Sequence, residues 1–320
     1  MSKKPNKAQK TKKGFVDVLL TMVLILAIGV FCYAGYNLFK IFLEYKKGSD
    51  EYSKIAKMAV EEREADKDSG ERKKASEVKP EDLAKKAGTL TPPMKVDFGS
   101  LKEVNKDVNG WIYVEAIPEI SYPVVHGVDN SYYLTHTYED AYNIAGTIFV
   151  DYENKSDFTD CNTLVYGHNM KNGTMFAQLK KFTTDGDIYR KSPYFWMFTP
   201  EASYRYEIVS AYTTGVNEET YMLFKGPGEE FLEWEKRMTG LSQIPEQPPI
   251  DTDAFIPEDK IITLSTCTGD YSTRYVVQGR RVNTVKNEGA VSNDEAVKNE
   301  KTTADEKAVN NEEAAKHSGE

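Results

Sequence analysis

Cysteine is scarce in this chain. Its 320 residues contain three, Cys32, Cys161 and Cys267, too few for a disulfide framework. Cys161 and Cys267 could form at most one bridge, and free thiols are the better reading. No CxxC pair or Cys/His cluster has the ligand spacing of a metal site. Histidine is also rare, with only His126, His136, His168 and His317. The net charge is −9, so the basic excess of a nucleic-acid binder is missing. No internal repeat suggests a solenoid. Beyond about residue 286 there are no aromatics and almost no large aliphatics. That acidic stretch, 286–320, cannot bury enough apolar surface to order itself.

Charge is also unevenly spread. The first thirteen residues hold six Lys and no acid, and Val18 to Tyr36 is uncharged and almost wholly apolar. As a helix that run spans about 28 Å, enough for a bilayer core. It is too long for a typical signal-peptide apolar region, and no small-x-small cleavage site clearly follows. Phe39, Ile41, Phe42 and Leu43 extend it, while Lys40 and Lys46 can snorkel to an interface. The expected layout is a basic cytoplasmic start at 1–17 and a transmembrane anchor at 18–43, with everything after about residue 44 outside. A cleaved signal peptide is the alternative.

Residues 44–93 are dense in Lys and Glu. Tyr52, Ile55, Met58 and Ala59 recur at helical spacing, a linker follows around Asp66–Gly70, and a short helix over Glu81–Lys86 is entered by Pro80. A solvated stalk is favoured over a binding surface. From 94 to 285 the pattern turns to short β-rich runs with Gly, Asn and Asp punctuation. Strands are expected at Trp111–Val114, Tyr122–His126, Thr147–Val150, Thr163–Tyr166, Tyr204–Tyr212, Ile261–Cys267 and Arg274–Val282. The fold class is mostly β, a barrel or sandwich. Thr174–Phe182 reads as a short helix. Phe231, Trp234, Met238 and Leu241 mark one face of another.

Two strands end on reactive side chains. Thr263-Leu264-Ser265-Thr266-Cys267 ends on a thiol, with Arg274 heading the next apolar run. About a hundred residues upstream, Leu164-Val165-Tyr166-Gly167-His168 ends on an imidazole. A rigid strand end is a good mount for a nucleophile. Positive charge beside a thiol favours the thiolate and can hold a developing oxyanion. Imidazole, with an ordinary pKa of about 6.5, suits proton transfer. Cys267, His168 and Arg274 are therefore the parts of a thiol acyl-transfer site. His126 and His136 fit packed or exposed roles better. By period-two alternation Tyr166 and Ser265 share strand faces with His168 and Cys267. Whether Asp270 orients His168 stays open.

At these residues the chain resembles the class B sortases, membrane-anchored cysteine transpeptidases of Gram-positive bacteria. The likeness also covers Val96-Asp97-Phe98, Asn109-Gly110-Trp111-Ile112, Tyr122-Pro123-Val124-Val125, Asp129–Leu134 and Gly146–Asp151, and ends near Val282. It implies a closed β-barrel over 94–285 with short helices, one of them between the sixth and seventh strands, and N-terminal helices that partly dock. It implies His168, Cys267 and Arg274 as catalytic residues, and Asn130, Leu134, Tyr166 and Ser265 as peptide-binding residues. The loop from Cys267 to Arg274 is shorter than in some members. The implied reaction needs no metal or organic cofactor. The thiol would cleave an NPxTx-type sorting signal of a surface protein after Thr and pass the acyl group to a peptidoglycan-precursor amine. A pilin Lys as acceptor, a cell-wall cysteine hydrolase and a non-catalytic adhesion module are the other readings.

The orientation is testable. Protease added to intact protoplasts should digest the domain beyond residue 44; survival of that domain until lysis would refute it.

Overall fold

The computed structural model describes residues 7–62 and 90–287. The first six basic-segment residues, the expected linker at 66–70, the expected helix at 81–86 and the tail from 288 lie outside the described residues.

Helix α1 runs over Lys7–Ala59, 53 residues or about 80 Å. Among the described residues it is the one helix long and apolar enough to cross a membrane. Large apolar side chains from Val18 to Leu43 are exposed along it.

A second compact unit begins at Glu51. In the last turns of α1, Tyr52, Ile55 and Ala59 are buried, while Met58 stays exposed. The Tyr52 hydroxyl donates to the Gly146 carbonyl and, at 3.2 Å, to Thr147 Oγ1. Its ring meets Tyr122 edge-on. Glu51 accepts from the Glu139 amide, and Lys54 pairs with the Glu139 carboxylate at 2.8 Å. Strand β1 (Val60–Glu62) then pairs antiparallel with β2 (Met94–Val96). Asp97, whose amide donates to Ala59 O, caps helix α2 (Phe98–Val104) by accepting from Ser100 N. So residues 51–62 pack with the domain that the sequence starts at 94, rather than standing as solvated stalk. The i, i+3, i+7 stripe of Tyr52, Ile55 and Ala59 is the cause.

Eight further strands follow: β3 (Val108–Val114), β4 (Ile117–Val125), β5 (Ile148–Val150), β6 (Asn162–Tyr166), β7 (Tyr194–Phe198), β8 (Ala202–Gly215), β9 (Ile261–Cys267) and β10 (Thr273–Lys286). They close into a barrel in the order β10-β8-β7-β3-β4-β5-β6-β9. The β4–β5 and β6–β9 contacts are parallel. Every expected strand is present. Strand β7 was not foreseen, because Tyr194-Phe195-Trp196-Met197-Phe198 has no polar alternation. Four of its five residues are buried, which removes the period-two signal.

The helix expected over Thr174–Phe182 is instead a run of turns before α3 (Lys181–Thr184) and α4 (Gly186–Lys191). Met175 sits at φ 57°, in the left-handed region that breaks a helix. Its amide donates to Tyr122 Oη, and the Phe176 amide donates to His168 O. Helix α5 (Glu229–Gly240) lies between β8 and β9, the sixth and seventh barrel strands, as expected. Phe231, Trp234 and Met238 pack on Cys161, Tyr212, Ile261 and Val276. Leu241 does not join that face; it follows the last turn and is exposed.

Glu235 lies on the buried side of α5, and neither carboxylate oxygen has a hydrogen-bond partner among the described residues. Burial pushes its carboxyl up to about 8; the nearby Asp259 charge adds to this, and Arg280 and Lys236 oppose it. Folding therefore favours the protonated form. That contribution is fully present below the ordinary value of 4.5 and is lost as pH rises toward 8.

Two predictions follow from this packing. A fragment of residues 51–287 should exceed one of 90–287 by about 3–6 kcal/mol in unfolding free energy, from burial of Tyr52 and Ile55; equal denaturant midpoints would return 51–62 to the stalk. Glu235→Gln should stabilise the protein at pH 8.5 by about 4 kcal/mol and leave it nearly unchanged at pH 4.5. Denaturant titrations at the two pH values check this, and an equal effect at both would refute it.

Candidate active site

The parallel β6–β9 ladder pairs Tyr166 with Ser265. It continues one bond further, with Gly167 N donating to Ser265 O at 3.1 Å. Gly167 is required here: a Cβ would lie 2.4 Å from Ile148 Cδ1 and 2.7 Å from the Phe176 ring. Two residues beyond the Tyr166–Ser265 pair, the segment leaving β6 carries His168 and β9 ends on Cys267. On the other side of β9, the antiparallel β9–β10 ladder puts Arg274 opposite Cys267. Directly opposed residues have Cβ atoms about 4.5–5.5 Å apart. Strands β9 and β10 thus carry thiol and guanidinium at one end of the barrel, and the segment leaving β6 carries the imidazole at that same end.

Cys267 is exposed, whereas Cys161 is fully buried at the start of β6. The Asn169 amide donates to Cys267 O at 2.7 Å and ties the His168 segment to the end of β9. His168 Nε2 lies 2.7 Å from Leu134 O. A carbonyl only accepts, so Nε2 carries the proton and Nδ1 is the basic nitrogen of the neutral ring. Arg274 Nη1 donates to Tyr271 O and Thr273 O at 3.1 and 2.9 Å, which holds the fork in place. Asp270 does not orient His168. Its carboxylate accepts from Ser272 N and Oγ, both at 2.8 Å, and these bonds lower its pKa.

Beside this trio is a cleft of about 320 Å³ lined by Arg274, Ser265, Tyr166, Tyr221, Asp151 and Glu153, with Leu164, Val216 and Leu223 as its apolar part. Tyr221 Oη and Ser265 Oγ are hydrogen-bonded at 2.9 Å. Burial, more than any other cause, raises the pKa of both tyrosines, so both enter chemistry as neutral phenols. Tyr166 and Ser265 therefore meet at one cleft. Asn130 joins them through Asp151, to which its amide donates at 2.8 Å. Leu134 ends a short 3-10 turn; its side chain is exposed and its carbonyl holds His168. His126 and His136 bond the Asn154 and Tyr132 carbonyls.

Asp151, Asn169 and Tyr221 are site neighbours that the sequence did not single out. Asn169 adjoins His168 and Asp151 ends a strand run, so position alone could have flagged them. Tyr221 sits in a turn between β8 and α5 and carries no local signal.

This barrel is the sortase fold. Residues 112–282 match the sortase domain model. Sortase B of Listeria monocytogenes is 37% identical over 190 residues, 58% of this chain and 74% of that protein. The X-ray structure of Clostridium perfringens sortase B is 33% identical with a TM-score of 0.53, covering 58% of this chain and all of that one. The Bacillus anthracis sortase B crystal structure in complex with AAEK1 is 25% identical with a TM-score of 0.57, covering 76% and 99%. The chain belongs to the sortase family and is a class B member.

Exposure separates the two barrel thiols. Iodoacetamide should alkylate Cys267 in the native protein and reach Cys161 only after unfolding, as read by peptide mapping. Native labelling of Cys161 would contradict the burial described above.

Proposed function

We propose that the protein is a membrane-anchored transpeptidase in which Cys267 is the nucleophile, His168 the general acid and base, and Arg274 the oxyanion and substrate clamp. The observation that carries this reading is the strand register, with Cys267 opposite Arg274 and His168 two residues past the end of the adjoining parallel strand. The substrate is a surface protein with an NPxTx-type sorting signal. The Cys267 thiol passes its proton to His168 Nδ1 as Sγ adds to the Thr carbonyl, and the negative charge that develops on the carbonyl oxygen falls beside the Arg274 fork. As the C–N bond breaks, His168 Nδ1 gives that proton to the departing amine. A thioester remains. The amine of a peptidoglycan precursor then attacks the thioester, His168 takes the proton from the attacking nitrogen, and a new amide releases the thiol.

Asn130, Leu134, Tyr166 and Ser265 bind the signal peptide. Tyr166 and Ser265 line the cleft beside the trio, which supports that role. The apolar part of α1 anchors the chain as a single pass, the N-terminus is cytoplasmic, and the catalytic domain faces the cell wall. Length and apolarity of the helix support the anchor; the Lys-rich start supports the orientation.

The test incubates each variant with an NPxTx peptide and follows turnover and the covalent adduct by intact mass. Cys267→Ala should abolish both. Cys161→Ala should keep most activity. His168→Ala should cost at least about a hundredfold in rate, and Arg274→Ala about 2–4 kcal/mol of transition-state stabilisation. Arg274→Lys should also be damaging, because a point charge cannot replace a planar fork. An adduct on Cys161, or near-normal turnover by Arg274→Ala, would overturn the roles.

A further inference from the structure

Asp151 follows β5 directly and is nearly fully buried, yet it borders the cleft. One oxygen, Oδ2, accepts from both Asn130 Nδ2 at 2.8 Å and Tyr166 Oη at 2.9 Å. The other, Oδ1, accepts from the Glu153 amide at 3.0 Å. The main chain is fixed as well, with Asp151 N donating to Leu164 O and Asn154 N donating to Asp151 O. Asn130 is held at its other end, where Oδ1 accepts from Tyr152 N at 3.0 Å. A carboxylate this rigid dictates how its two donors point.

We infer that Asp151 is a positioning residue for peptide recognition, acting through Tyr166 and Asn130 rather than on the reacting atoms. Because Tyr166 gives its only proton to Asp151, its oxygen can present only lone pairs to the cleft. The exposed Glu153 carboxylate, also on the cleft wall, is likewise an acceptor. This side of the cleft therefore takes a substrate group that donates hydrogen bonds, such as a side-chain amide or an ammonium, and rejects a carboxylate. The inference rests on the transpeptidase reading above.

The test is steady-state cleavage of an NPxTx peptide by the full-length protein in detergent micelles, with iodoacetamide alkylation of Cys267 as a parallel readout. Asp151→Asn should raise KM about tenfold with kcat changed less than about threefold, and leave the alkylation rate unchanged. In a Tyr166→Phe, Asn130→Ala background the same substitution should cost under about twofold, since its two intermediaries are gone. Tyr166→Phe and Asn130→Ala should be non-additive with each other, and this arm still decides the matter if Asp151→Asn does not fold. An equal loss in both backgrounds, additive single effects, or a loss confined to kcat overturns the inference alone. Absence of any thioester in the unsubstituted protein overturns the inference and the transpeptidase reading together.

Discussion

The parallel contact between β6 and β9 is the constraint on which the site depends. Five residue pairs, from Asn162↔Ile261 to Tyr166↔Ser265, set its register. A slip of one residue would turn every side chain to the opposite face. It would break the bond from Asn169 to Cys267 O that ties the His168 segment to the end of β9, and remove Tyr166 and Ser265 from the cleft. A chain of buried polar groups across four adjacent strands resists that slip. Ser210 of β8 donates to Gln278 of β10, Gln278 donates to Thr263 of β9, and Thr263 donates to Asn162 of β6, at 2.9, 3.1 and 2.8 Å. Asn162 then donates to Met222 O at 2.8 Å, between the cleft residues Tyr221 and Leu223. Each group is buried, so a shifted register would strand polar atoms without partners, at about 1–3 kcal/mol apiece.

That lock divides the barrel into two ends with different tasks. At the ends of β6 and β9 the strands stop, and Cys267, His168 and Arg274 are exposed to reagents or intermediate in burial. At their starts, Cys161 is buried against α5, with Lys260 Nζ donating to its sulfur at 3.3 Å. The same residue type is therefore accessible at one end and enclosed at the other. Glu235 marks the cost of covering the barrel with α5, since its helix position points a carboxyl inward without a hydrogen-bond partner among the described residues. The docked residues 51–62 add the remaining cover, tying the end of α1 to the β4 and 146–147 region through Tyr52.

Rigid ladders set Cys267 and Arg274, while the cleft beside them is assembled mostly by what crosses between strands. Asn130, Asp151 and Tyr221 come from three separate connections. Asp151 is bonded to Tyr166 and Tyr221 to Ser265, while Asn130 joins them through Asp151. The lining of this cleft can therefore diverge between relatives by changes in connections, with the barrel unchanged.

The apolar run at 18–36, the strand pattern and the helix between the sixth and seventh strands could all be read from the chain itself, and so could Cys267, His168 and Arg274 as the proposed trio. Each rests on local periodicity or on a side chain at a strand end, and both are properties of short stretches of sequence. The features that could not be read this way depend on distant partners. Strand β7 is buried on both faces and so lost its alternation. The expected helix after His168 gave way to turns whose amides bond Tyr122 and His168. Tyr52, Ile55 and Ala59 formed a weak stripe in a charged segment, and only the surface waiting at Gly146 and Tyr122 made it part of the domain. Asp270 was left open by sequence, and only its bonds to Ser272 removed it from the site. Sequence determined which side chains the proposed chemistry uses, because each lies at or near the end of a strand, a local feature. Tertiary structure decided which side chains they meet, because hydrogen-bond partners a hundred residues apart are chosen by the closure of the barrel.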